Sequence, residues 1–200
     1  HRPTSNTHEI TPDTQLPLDG WGTRNTLKYF NDTFEKIMVS SSGPKYWGFV
    51  TGGTTPASIA GDWLTTIYDQ NAFKASGQGD VSAQIEVETI LLLLDLFNLP
   101  KNLSGGFVSG ATMSNVTCLA AARQWIGKQQ GKDYAKEGIN EPIHVLAALP
   151  HSSVLKAMSL LGLGSVNIRS IKTNRGHRES MDLHDFEKQI LQLSGAPFIL

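Results

Sequence analysis

Two hundred residues suffice for one ordinary domain with its own core, and a composition of 40% apolar and 18% charged residues argues against a disordered chain. The net charge of −1 argues against nucleic-acid binding, which needs a basic excess. The single cysteine, Cys118, permits no internal disulfide and fits a cytoplasmic location, while apolar runs such as Ile90–Leu94 are far too short to span a bilayer.

The start, His1-Arg2-Pro3-Thr4, has neither a signal pattern nor an initiator Met, so a fragment is expected, and the sequon triplets at Asn31, Asn102 and Asn115 are not expected to be glycosylated. Residues 1–25 read as an irregular arm. Leu27, Phe30, Phe34 and Met38 predict a helix over Thr26–Val39. Ser40–Pro44 breaks it, and a short aromatic stretch follows, Tyr46-Trp47-Gly48-Phe49-Val50, turning on Gly52 and Gly53. Pro56 suits the first turn of a helix running to about Gln70, with Ile59, Trp63 and Ile67 in phase. A third helix is expected over Ser82–Phe97, with Ile85, Thr89, Leu92 and Leu96 as its buried stripe.

From Gly105 the pattern changes. A strand is expected at Gly106–Ser109, a helix at Met113–Gln130, a strand at Ile143–Leu149 and a helix at Ser152–Leu161. A β-like stretch follows at Ser165–Ile171, then a helix at Leu183–Leu193 and a strand from Pro197. Such alternation predicts an α/β fold with a mainly parallel sheet covered by helices. Ending in an apolar strand, the chain is expected to be less than the whole functional unit.

Ligands of open α/β sheets bind beyond the carboxyl ends of strands, and two segments are expected there. In Ser109-Gly110-Ala111-Thr112 the small residues, the free N–H groups of a helix start and the Thr112 hydroxyl suit a phosphate, although on these residues alone an ordinary capped turn is the better account. In Pro150-His151-Ser152-Ser153 the histidine sits where it can stack on or bond to a ligand. A surface histidine in a turn capped by Ser152 or Ser153 is the alternative. Together they suggest a phosphorylated ligand of unassigned class.

The run Gly105-Gly106-Phe107-Val108-Ser109-Gly110-Ala111-Thr112-Met113-Ser114-Asn115, followed by Leu119-Ala120-Ala121-Ala122-Arg123, resembles the phosphate-loop segment of the group II decarboxylases that depend on pyridoxal phosphate (PLP). His151-Ser152-Ser153-Val154-Leu155-Lys156-Ala157, with Leu160-Leu161-Gly162-Leu163-Gly164 after it, resembles the family's histidine segment. Tyr46–Val50, Gly61-Asp62-Trp63-Leu64 and Asn98-Leu99-Pro100 fall in family order, so the resemblance covers about Leu16–Leu200.

The resemblance implies a fold type I PLP enzyme, usually homodimeric. Residues 1–100 would form an arm and helical dimerisation layer, and residues 101–200 the first part of the PLP-binding large domain. Ser109, Gly110, Ala111 and Thr112 would hold the cofactor phosphate. His151 would stack on the cofactor ring and take part in catalysis, and Phe49, Val50 and Gly52 would line the substrate pocket. No metal is implied. The family's catalytic lysine and its ring-pairing aspartate would lie beyond Leu200, leaving this stretch alone inactive. Met113 and Gln84 stand where many members carry acidic residues, whereas Glu86 keeps the family's glutamate, which suggests a divergent branch acting on an L-amino acid. An aldehyde-forming PLP enzyme of the same fold and a non-catalytic paralogue binding a full-length partner are the alternatives.

Overall fold

A computed structural model of the chain describes residues 14–49, 53–71 and 81–200. The chain divides into two compact units, His1–Ala83 and Gln84–Leu200.

In the first unit, α1 spans Gly22–Thr33 and a single 3-10 turn follows at Glu35–Ile37, so the first predicted helix begins earlier and its last turn tightens. Trp21, Tyr29, Phe30 and Phe34 form an aromatic cluster, with edge-on Trp21–Tyr29 and Tyr29–Phe34 pairs at centroid separations of 5.1 and 5.8 Å. Helix α2 spans Pro56–Tyr68. Its start is closed by a reciprocal capping box between Thr55 and Ser58 with Pro56 in the first turn, and its end by Asp69 in the left-handed region. Neither α1 nor α2 contains a buried residue.

Helix α3 (Val81–Leu96) leads into the second unit. Its expected stripe is corrected: Ile85, Leu92 and Leu96 are exposed, and Leu94 is the buried residue. The five-residue run Ile90–Leu94 is apolar on every side, so periodicity did not choose the face. The inward face instead carries Glu86, Ile90, Leu93 and Leu94, and the Glu86 carboxylate accepts the Phe107 N–H at 2.7 Å. The strand expected at Gly106–Ser109 does not form. A strand needs a ladder partner, and here a side chain on α3 takes the Phe107 N–H instead.

Helix α4 (Ala111–Gln129) turns through Gly131 into the short α5 (Tyr134–Glu137). Tyr134 is buried over Gly127 and donates to the Gln130 side chain at 2.6 Å. Asp133 caps α5 and accepts from the Gln124 amide, which holds its carboxyl below the usual range. Strand β1 (His144–Ala147) is the centre of a parallel sheet in the order β2-β1-β5, with β2 at Ile168–Ser170 and β5 at Phe198–Ile199. Val145 pairs with Ile168 on one side and Ile199 on the other. Helix α6 (Ser152–Leu160) connects β1 to β2 through a 3-10 turn at Ser165–Asn167.

Successive side chains of β1 enter different cores. Val145 joins Leu119 and Ile126 of α4 and Ala157 and Met158 of α6. Leu146 joins Ile171 and Leu193, with Phe186 and Ile190 of α7 (Leu183–Gln192) against them. Burial on both faces is why this strand reads as a continuous apolar run. Between β2 and α7 lies an antiparallel hairpin, β3 (Thr173–Asn174) and β4 (His177–Met181), turning on Arg175-Gly176. Among the described residues no helix is long and apolar enough to cross a membrane.

Candidate cofactor site

Helices α4 and α6 are clasped at two points. The Asn115 amide donates to the Ser153 hydroxyl at 2.8 Å, and Arg123 Nη1 donates to the Leu161 carbonyl at 3.0 Å. The partners are 38 residues apart in both clasps, so the two helices run side by side in the same direction and in register. The second clasp also satisfies a carbonyl at the end of α6. Gly162, with φ 68°, then reverses the chain, and the Leu163 N–H reaches the Met158 carbonyl at 2.9 Å while Leu163 itself enters the core. That sequence of events accounts for the Leu161-Gly162-Leu163 motif.

Parallel alignment puts both positive helix ends on one side, at the carboxyl end of β1. The residue before α4 is Gly110, in extended backbone, and it has no side chain to accept from the first turn. Thr112 is inside that turn rather than at its cap, and its hydroxyl makes no hydrogen bond among the described residues. Ser109, Gly110, Ala111 and Thr112 are all exposed. Free backbone donors, a free hydroxyl and two converging dipoles fit a phosphate group.

At the start of α6 the cap is His151 itself, not Ser152 or Ser153. Its Nδ1 accepts the Ser153 N–H at 3.2 Å and lies 2.8 Å from the Ser153 hydroxyl. Ser153 is buried beneath it, while His151 is exposed. The structure therefore brings the predicted loop 109–112 and the predicted histidine together through Asn115 and Ser153, although the strand expected ahead of the loop is missing. Ser153 is expected from its position only as a cap, and nothing in the local sequence links it to Asn115. The available signal was an asparagine one turn inside a helix, where that residue is a poor helix former unless its side chain has a partner. Phe49 belongs to the first unit and is 89% exposed. Val50 and Gly52 lie outside the described residues.

A family model described as "Pyridoxal-dependent decarboxylase conserved domain" matches residues 13–199. The chain belongs to this family. Its cofactor is pyridoxal phosphate, and the incomplete α/β fold is that of the family's solved structures. The chain is 27% identical to an aromatic-L-amino-acid decarboxylase of Bacillus atrophaeus, over 88% of this chain and 34% of that protein. It is 24% identical to a 4-hydroxyphenylacetaldehyde synthase of Rhodiola rosea, over 94% of this chain and 39% of the relative. The crystal structure of Oryza sativa TDC with PLP and tryptamine superposes with a TM-score of 0.74 at 23% identity, covering 94% of this chain and 42% of that one. The chain thus spans between a third and a half of the length of these relatives.

Proposed function

We propose that this chain supplies the phosphate cradle and the ring-facing histidine of a PLP-dependent carboxy-lyase acting on an L-amino acid. It does so as part of a longer, cytoplasmic, homodimeric protein whose lysine segment lies outside these residues. The observation that carries the reading is the Asn115–Ser153 hydrogen bond, which joins the open start of α4 to the start of α6 on one side of the sheet.

Ala111 and Thr112 offer backbone N–H groups and the Thr112 hydroxyl to the phosphate, with Ser109 and Gly110 letting it approach. His151 would face the cofactor ring, where its imidazole would hold a proton for the reaction. By the family resemblance, Phe49, Val50 and Gly52 would be substrate-side residues. When bound, PLP supplies the electron sink for the electron pair left as carbon dioxide departs. The apolar faces of α1 and α2 meet a second subunit, which is supported by their exposure in the single chain.

The test begins with the coding transcript beyond Leu200 and an assay of its full product for carbon dioxide release with PLP. His151→Ala is expected to lower turnover by about 100-fold or more, and Thr112→Trp to weaken PLP retention. A stop codon directly after Leu200, or wild-type turnover in the His151 variant, sinks the reading. The Rhodiola rosea relative favours an aldehyde-forming activity as the second reading, and product analysis for amine against aldehyde separates the two.

A further inference from the structure

The protons around His151 can be placed by elimination from one donor whose role is fixed. A backbone amide only donates, so the Ser153 N–H at 3.2 Å requires a lone pair on His151 Nδ1. With no hydrogen on Nδ1, the 2.8 Å contact between Nδ1 and the Ser153 hydroxyl has the hydroxyl as donor, so that amide and hydroxyl share the one Nδ1 lone pair. With its hydrogen committed to the ring, Ser153 Oγ is an acceptor toward Asn115, which agrees with the Asn115 amide donating to it at 2.8 Å. The direction of every bond in the chain Asn115, Ser153, His151 is then set. The neutral ring carries its proton on Nε2. The positive end of α6 favours the same arrangement, because it faces a lone pair rather than another N–H.

Ser153 is 6% exposed, so its hydroxyl exchanges partners with water only at the cost of breaking a buried bond. Asn115 is held in turn by its position one turn into α4, in register with α6.

We infer that Asn115 and Ser153 are positioning residues for His151, holding its imidazole with Nδ1 as acceptor so that the ring offers an Nε2–H donor, and not a base, at the shared helix start. The chemical use of that donor rests on the proposed function. The arrangement itself does not, and the two fail separately.

The experiment is nitrogen NMR of the histidine rings in the 200-residue chain, with His151 assigned by its loss in His151→Gln. In the neutral ring, Nε2 is expected in the protonated range and Nδ1 in the range of a hydrogen-bonded acceptor. Asn115→Asp, whose carboxylate draws the Ser153 proton to itself, and Ser153→Ala, which removes it, are each expected to shift the Nδ1 signal toward that of an acceptor bonded by the backbone N–H alone. Ser153→Thr, which restores a hydroxyl, is expected to keep the parent signal. A proton on Nδ1 in the unsubstituted chain overturns the inference even if a variant does not fold. So do Asn115→Asp and Ser153→Ala spectra identical to the parent. If the expected spectra are obtained while the full product retains no PLP, the positioning stands and the proposed function falls.

Discussion

On α2, Trp63 and Ile67 are 67% and 72% exposed, whereas Ala157 and Met158 on α6 have no exposed surface at all. Both helices carry apolar residues at helical spacing, and both are capped at their starts. The difference lies in what surrounds them. The α6 stripe meets β1 and α4 within the same unit, and the α2 stripe meets nothing of comparable extent among the described residues. An amphipathic pattern therefore predicts a helix in both cases, but predicts burial only where the chain itself provides the opposite face.

Breaking the buried side should have the largest effect. Met158→Ala removes a fully buried side chain from the core shared by α4, α6 and β1, and should lower stability by about 2–5 kcal/mol in urea titration followed by circular dichroism. Gly127→Ala comes next. A Cβ there would lie 2.6 Å from the buried Tyr134 ring, so overpacking should cost about 1–3 kcal/mol. Trp63→Ala sharpens the contrast from the other side. In the chain alone it should change stability by less than about 0.5 kcal/mol. Sedimentation of the full product should show weakened dimers in the same variant, and an unchanged dimer would remove α2 from the interface.

The same contrast explains what could be read from the residues. The apolar run at β1 was legible because it is covered on both faces, and α7 was legible because Phe186, Ile190 and Leu193 all reach one core. The β3–β4 hairpin was not, since its strands are short and polar and only the Arg175-Gly176 turn marks it. The four residues of α5 are too few for any periodicity to appear. At the site, the phosphate loop and His151 were marked by their neighbours in sequence. The bond between Asn115 and Ser153 was not, because a hydrogen bond across 38 residues leaves no local pattern.

The two clasps between α4 and α6 also act as a ruler. Eight residues separate Asn115 from Arg123, and eight separate Ser153 from Leu161. An insertion between Arg123 and Ser153 changes both separations together and leaves the clasps matched. One residue added inside either clasped stretch turns everything after it by about 100°, so that only one clasp can close. Length variation among related chains is therefore expected at exposed turns such as Arg175-Gly176 and excluded from 115–123 and 153–161, where a single extra residue would part the histidine from the cradle or the helix end from its arginine.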